Sequence, residues 1–311
     1  MSASKNPQVS IITPVFNREE LIIECIESIQ NQDYKNYEHI IVDDCSTDNT
    51  AEVVKAYAKK DPRIVFVKSP KNSGGNIGKV RNIGIKIAKG ELIAFLDSDD
   101  MWEKEKLSLQ ITHLQENKLD FSYHPLSRFM KNTDDTPMSF WGRDCFQKDY
   151  FRGLFLSNFI STCSVLTKKK VLEEVGLFDE SLKYSEDYCL WLLIALKNYK
   201  IGFLNNVLGR FRRSDHGNVN AVLNKKEKHE CSIRLREKIL FEHSPESLPR
   251  LMKSDLIHNY IYYYYELIKT EDSPERKKEL FVKIIDRLFE LKISHLFIEE
   301  LEFLTKLRKN N

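Results

Sequence analysis

The sequence predicts an α/β protein, a mostly parallel sheet flanked by helices, followed by a C-terminal helical region. Three observations predict it. Short apolar runs alternate with segments of helical periodicity through the first hundred residues, the pattern of repeated βα units. Polar and acidic residues gather where three of those runs end, at Thr13–Asn17, Asp43-Asp44 and Asp97–Asp100. Glycine vanishes after Gly217, and the remaining chain carries apolar stripes at helical spacing.

Taken in order, Val9 to Thr13 reads as a strand stopped by Pro14, and Leu21, Cys25, Ile26 and Ile29 share one face of a helix spanning about 19–30. His39 to Val42 is the next strand. Ser46 to Thr50 supplies cap residues for a helix that turns Val53, Val54, Tyr57 and Ala58 inward. Ile64 to Val67 is a third strand, Ile83, Ile85, Ile87 and Ala88 suit a helix after a Gly-rich loop, and Leu92 to Leu96 is the fourth strand. The middle is less periodic. Strands are expected at 120–123 and 163–167, a loop over 128–150, a helix over 168–175 closed by Gly176, and a Leu-, Trp- and Ile-rich helix over 188–197. Residues 225–311 read as a separate helical appendage, with Leu280, Ile284, Leu288 and Leu291 on one stripe and Leu301, Leu304 and Leu307 on another. The expected division is 1–224, with halves of about 1–120 and 121–224, and then 225–311.

The 311 residues, 41% hydrophobic and 30% charged, are those of an ordinary globular protein, and a formal net charge of +2 gives no mandate for nucleic acid. Six scattered cysteines without a C-x-x-C pair suit reduced, buried thiols in a cytoplasm. No apolar run approaches the ~20 residues of a membrane span. The expected location is cytoplasmic, with peripheral contact at the inner face of the membrane as the extension.

Three carboxylates among the four residues Asp97-Ser98-Asp99-Asp100 repel one another unless a cation relieves them, and hard divalent ions take oxygen ligands shared with phosphates. The cluster therefore suggests a metal bridging protein to a diphosphate. On its own it fits a solvated acidic loop equally well. In open α/β sheets ligands bind at the carboxyl ends of strands, and three strand ends agreeing outweighs one acidic loop.

Ser10–Arg18, Ile41–Asp48, Phe95–Asp100, Glu174–Glu180 and Ser185–Trp191, in this order, resemble the family-2 glycosyltransferases of GT-A fold. The resemblance runs over roughly 9–216 and stops before the C-terminal helices. It implies an inverting transfer from a nucleotide diphosphate sugar to a hydroxyl acceptor, in bacterial surface polysaccharide or glycan assembly. It also implies roles by position. Pro14, Phe16 and Asn17 would line the base and ribose pocket. Asp44 would receive the pyrimidine, and because a carboxylate accepts the N3–H of uracil, UDP is the expected nucleotide. Arg81 would sit by the base or phosphates, Asp97 by the ribose, and Asp99 with His216 at a Mn²⁺ or Mg²⁺ ion beside the diphosphate. Asp187 would be the base, with Glu186 toward the acceptor; Trp102, from its place beside the acidic cluster, is expected to face the donor or acceptor. That acceptor is a saccharide or lipid-linked saccharide. Cys45 departs from the small residue common after the acidic pair.

The rival readings are a non-catalytic nucleotide-sugar-binding relative and a sugar nucleotidyltransferase. The second is ranked lower, because a basic Gly-rich loop would follow the first strand where Pro14-Val15-Phe16-Asn17 stands. Intact Asp99 and Asp187 argue against the first. Glu186-Asp187 also suits a helix first turn, and the two roles coexist. Trp191 belongs in a core, Trp141 and Phe140 fall in the variable middle loop, and the histidines nearest the proposed chemistry are His124 and His216. The run Tyr260–Tyr265, with Lys277, Lys278, Lys283 and Arg287 downstream, fits a helix packed on protein better than one resting on lipid. Through 225–311, self-association and membrane contact are both left open.

Overall fold

The structure is a computed structural model that describes residues 7–129, 136–137, 149–156, 158–212, 230–231, 233–235, 237–239, 260–269 and 271–290. The chain divides into two compact units, Met1–Asn218 and Val219–Asn311.

The first unit opens with the expected alternation: β1 (Val9–Val15), α1 (Leu21–Gln30), β2 (Tyr37–Asp43), α2 (Thr50–Lys60), β3 (Ile64–Lys68), α3 (Ile77–Ile87) and β4 (Leu92–Phe95). It continues through β5 (Met101–Trp102), α4 (Lys106–Glu116), β6 (Phe121–Tyr123), β7 (Leu126–Phe129), β8 (Thr136–Pro137), α5 (Tyr150–Leu156), β9 (Leu166–Lys168), α6 (Lys169–Val175), α7 (Glu186–Leu196), β10 (Ile201–Phe203) and β11 (Gly209–Arg212). The main sheet has the order β10-β6-β9-β4-β1-β2-β3 and is parallel except for β9, which runs against both its neighbours. This is the mixed α/β architecture with a mostly parallel sheet that the sequence predicts.

β1 is central, and every residue from Val9 to Thr13 is fully buried, as a strand covered on both faces requires. Pro14 is tolerated there for a geometric reason. The Ile12 carbonyl accepts from Leu96 on the β4 side, so Pro14, two residues on, faces that same side beyond the last β1–β4 pair at Ile12 and Phe95. Its missing N–H costs no ladder bond. α3 lies close on the sheet because Gly84 has no side chain: a Cβ there would stand 2.7 Å from Ile12 Cγ2. α7 is apolar all round and buried from Cys189 to Ala195, and Trp191 packs with Phe95, Phe121 and Phe178, a core role as expected.

Three differences from the sequence reading have local causes. The expected strand 163–167 is split: Thr162–Ser164 forms a 3₁₀ turn closed by Ser164 N–H and Oγ on the Ser161 carbonyl, and only Leu166–Lys168 pairs. α7 begins at Glu186, two residues early, after Ser185 takes a left-handed φ of 60°. The segment read as loop from Arg128 begins inside β7, which joins a second sheet of order β5-β11-β7-β8. These strands are two to four residues long, and β11 reaches β5 and β7 across large sequence distances, so periodicity gives them no signal.

In the second unit, residues 260–269 are helical, and a helix spans Pro274–Glu290. Tyr260 and Tyr264 are buried and both donate to Glu237 Oε1, at 3.0 and 3.2 Å, while Tyr262 is exposed. Two tyrosines of the run are thus internal packing groups. Leu280 and Ile284 are buried as their stripe predicts. Leu288, Leu291 and the 301–307 stripe fall among residues whose side chains are outside the described set.

Candidate active site

Four of the six expected nucleotide residues, Pro14, Phe16, Asn17 and Asp44, stand at the ends of β1 and β2. Asn17 takes a left-handed φ of 49° and ties its turn to the loop after β2: its amide donates to Ser46 Oγ (3.0 Å), and its Oδ1 accepts from the Thr47 amide (2.8 Å). Asn17 is therefore a clamp between two strand ends. Phe16, next to it, is 43% exposed and presents an aromatic face. Asp44 is buried and held by Ser73, whose amide and hydroxyl donate to its two oxygens at 2.8 and 2.7 Å, while Asn72 Nδ2 donates to its carbonyl. A carboxylate has about four acceptor positions, so two remain on Asp44. Cys45 accepts the turn with φ of 63°, and its thiol donates to the Ser69 carbonyl at 3.4 Å.

At the end of β4 the four-residue acidic loop divides its labour. Asp100 faces inward, accepting from the Cys163 thiol (2.9 Å) and the Arg212 amide (2.9 Å). Burial, then the charges of Asp99 and Asp97, push its carboxyl far above the usual range. Arg212 also donates through Nε to the Asp99 carbonyl (2.9 Å) and pairs with Glu24, so β11 pins the loop from outside. Asp99 is half-buried; desolvation and then Asp97 raise its carboxyl, against the pull of Arg18 and Arg212.

Carboxylates crowded together at a strand end suit a divalent cation. A geometrically compact group among the described residues is Asp97, Asp100 and Cys163, whose ligand atoms lie within 4.8 Å of one another. Within that group Asp100 accepts one donor on each oxygen, from Cys163 and Arg212, and Asp97 accepts from Arg81 on Oδ1. His216, expected at the ion, lies outside the described residues, as do Phe140 and Trp141.

Arg81, expected by the base or phosphates, is held by protein carboxylates. It is 3% exposed and bridges two acids, donating from one terminal nitrogen to Asp97 Oδ1 at 2.7 Å and from the other to Glu186 Oε1 at 2.9 Å. Its guanidinium stands over the Phe178 ring at 5.5 Å. Burial works against this charge, and the carboxylates of Asp97 and Glu186 more than offset it. Glu186 is the partner that sequence reasoning assigned to the acceptor; its carboxyl is pushed up to about 7 by burial first and the Asp187 charge second.

Asp187 is fixed at both oxygens. Thr162 Oγ1 donates to Oδ2 at 3.0 Å and the Tyr188 amide to Oδ1 at 2.7 Å. Desolvation raises its carboxyl, opposed by Arg81, the Tyr188 amide and Thr162.

Trp102 is a correction. It is 4% exposed, its Nε1 donates to the Cys163 carbonyl at 2.8 Å, and the Lys106 ammonium lies 3.8 Å over its ring. The indole is a core group under the acidic loop and offers no face to an acceptor. His124 is likewise buried, with Nδ1 on the Pro125 carbonyl and its proton affinity depressed to about 3 by burial. Sequence reasoning missed Ser73 and Thr162, whose residue types carry no signal, and Cys163, whose position under the loop follows from the 3₁₀ turn.

Residues 10–176 match the model of the Glycosyl transferase family 2. The chain belongs to glycosyltransferase family 2. It is 34% identical over 223 residues to the UDP-Glc:alpha-D-GlcNAc-diphosphoundecaprenol beta-1,3-glucosyltransferase WfaP of Escherichia coli, covering 68% of this chain and 80% of WfaP. It is 36% identical over 219 residues to an uncharacterized glycosyltransferase of Rickettsia conorii; the match takes 68% of this chain, which spans only about a third (34%) of that longer relative. Among solved structures, S. aureus TarS 1–349 in complex with UDP-GlcNAc superposes with a TM-score of 0.67 at 23% identity, over 88% of this chain and 83% of TarS. That likeness shows the fold and accords with the GT-A expectation.

Proposed function

We propose that this chain is an inverting glycosyltransferase that moves a sugar from a UDP-sugar to a hydroxyl of a saccharide or lipid-linked saccharide, with Asp187 as base, Asp97 toward the ribose, and Mn²⁺ or Mg²⁺ held by Asp99 with His216. The observation that carries the reading is the Arg81 bridge. One buried guanidinium joins Asp97 at the end of β4 to Glu186 in the first turn of α7, so the acids assigned to the donor and the turn assigned to the base stand on opposite sides of a single side chain. WfaP, whose name states a UDP-glucose donor and a diphosphoundecaprenol-linked acceptor, supports that donor and acceptor class.

In this reading Phe16 covers the base, Asp44 accepts the uracil N3–H on the oxygen positions Ser73 leaves open, and Asn17 holds the two loops in register. The metal would neutralise charge on the leaving diphosphate. The acceptor oxygen forms its bond to the anomeric carbon as the bond to the diphosphate oxygen breaks and that electron pair leaves with UDP. The acceptor proton passes to Asp187, a task worth ~10²–10⁴-fold for a positioned base. Burial raises the proton affinity of Asp187, and the Arg81 charge opposes that rise. The catalytic region is assigned to 1–224 and the remainder to partner or membrane contact. Among the described residues no helix is long and apolar enough to cross a membrane. The proposed place of work is the cytoplasmic side of the membrane, in bacterial surface polysaccharide assembly.

Thermal unfolding with UDP, GDP, CDP and TDP, each with and without Mn²⁺, tests the donor assignment. UDP with Mn²⁺ is expected to stabilise the protein by ~2.7 kcal/mol at a hundred times its dissociation constant, and D99A to lose the metal-dependent part. Stabilisation by GDP alone, or by no nucleotide, would overturn it.

A further inference from the structure

We infer that Thr162 is the positioning residue of the base: its hydroxyl fixes the Asp187 carboxylate in the orientation that receives the acceptor proton. This rests on the proposed role of Asp187. Thr162 belongs to the 3₁₀ turn between α5 and β9, 25 residues from its partner, and is 5% exposed. Its Oγ1 lies 3.0 Å from Asp187 Oδ2.

The geometry is that of a two-point mount. The Tyr188 amide holds Oδ1 from within α7, and Thr162 holds Oδ2 from outside the helix. With one donor on each oxygen, the carboxylate plane cannot turn about its last torsion, and a second acceptor position stays open on both oxygens. A base fixed in advance loses no freedom when the acceptor arrives, and small misplacements at reacting atoms cost large factors in rate.

The turn itself is well anchored for this purpose. The Ser164 amide and hydroxyl both close on the Ser161 carbonyl, at 3.0 and 2.7 Å, and the Val165 amide closes on Thr162 at 3.1 Å. The neighbouring Cys163 is fastened at its thiol by Asp100 and at its carbonyl by the Trp102 indole. The hydroxyl of Thr162 is thus carried by backbone that the acidic loop already holds, and the same turn contacts the donor-side acids through Cys163 and the base through Thr162. A β-branched side chain is stiff at χ1, which suits a mount.

The test compares T162V, T162S and D187N in the full chain with Mn²⁺. UDP release is measured from UDP-glucose and UDP-GlcNAc with water as the acceptor whose proton Asp187 takes, and UDP affinity separately by thermal shift. T162V is expected to lower kcat about tenfold or more while UDP affinity stays within about twofold, and T162S to restore most of the rate. Equal rates in T162V and wild type, beside an inactive D187N, overturn the inference and leave the base assignment standing. Loss of UDP affinity in T162V, or failure of T162S to rescue, also overturns it, since both mark a role confined to folding. If D187N keeps the wild-type rate, the base assignment itself falls. A substrate-free measurement decides the contact alone: the side-chain carboxyl carbon resonance of Asp187, identified by its absence in D187N, is expected to move in T162V and return in T162S. An unmoved resonance in T162V contradicts the mount.

Discussion

The ends of β1 and β2 and the first turn of α7 present carboxylates in opposite ways. Asp44 is served by Ser73 and Asn72 on a single neighbouring loop, and Asn17 secures the adjoining turns by ordinary polar bonds. Glu186 and Asp187 depend on residues from other parts of the fold: Arg81 on α3, Thr162 in the 3₁₀ turn, and through Arg81 the acid Asp97. The difference teaches where electrostatic strain is kept. The end proposed for the nucleotide is a set of neutral donors around one acid with acceptor positions to spare, whereas the α7 end gathers acids around one buried cation, which tunes proton affinity.

Removing that cation gives the sharpest contrast. R81M leaves Asp97 and Glu186 facing each other across a buried gap, and a loss of about 3–5 kcal/mol is expected in denaturant unfolding. R81K is expected to recover only part of it, because a single ammonium cannot reproduce the planar fork that spans two carboxylates. Equal stability in R81M and wild type would dissolve the distinction between the two regions.

The next effect is a pH dependence. Glu186 titrates near 4.5 when unfolded and about 7 when folded, so the folded state binds the extra proton between those values. Its contribution is complete below about 4.5 and is lost as pH rises through about 7. Wild-type stability is therefore expected to fall over that window by roughly 2 kcal/mol relative to E186Q, read from unfolding midpoints at pH 5 and pH 7.5. A parallel pair of curves would contradict the assignment.

The smallest effect belongs to the nucleotide end. S73A removes one of two donors to Asp44, and a cost of about 1 kcal/mol in stability is expected, since the Ser73 amide remains. UDP affinity is expected to change by less than about fivefold, measured by thermal shift. A collapse comparable to R81M would mean that Asp44 is as strained as Glu186.

The same contrast explains what was legible in the sequence. The run from β1 to β4 is regular, and its candidate ligand positions follow chain order, so strand ends, Asp44 and the acidic loop could be read from periodicity and the parallel-sheet rule. Family resemblance added Asp187 and the GT-A fold. The rest is assembled at long range. Arg81 meets Glu186 105 residues away and Arg212 meets Asp100 112 residues away, distances over which no local pattern operates. Trp102 was misjudged for the same reason: in sequence it stands beside Asp100 and Glu103, and in space its indole N–H is bound by Cys163, 61 residues away. The second sheet, built from strands of two to four residues, escaped because such lengths carry no period.

The central claim is that a base on α7 acts across a donor bound at the ends of β1, β2 and β4. The most direct test is UDP release from UDP-glucose and UDP-GlcNAc by D187N, measured beside its stabilisation by UDP and Mn²⁺. The account predicts a rate lower by ~10²–10⁴-fold with the nucleotide-dependent stabilisation intact. An undiminished rate, or loss of UDP binding together with activity, would contradict it.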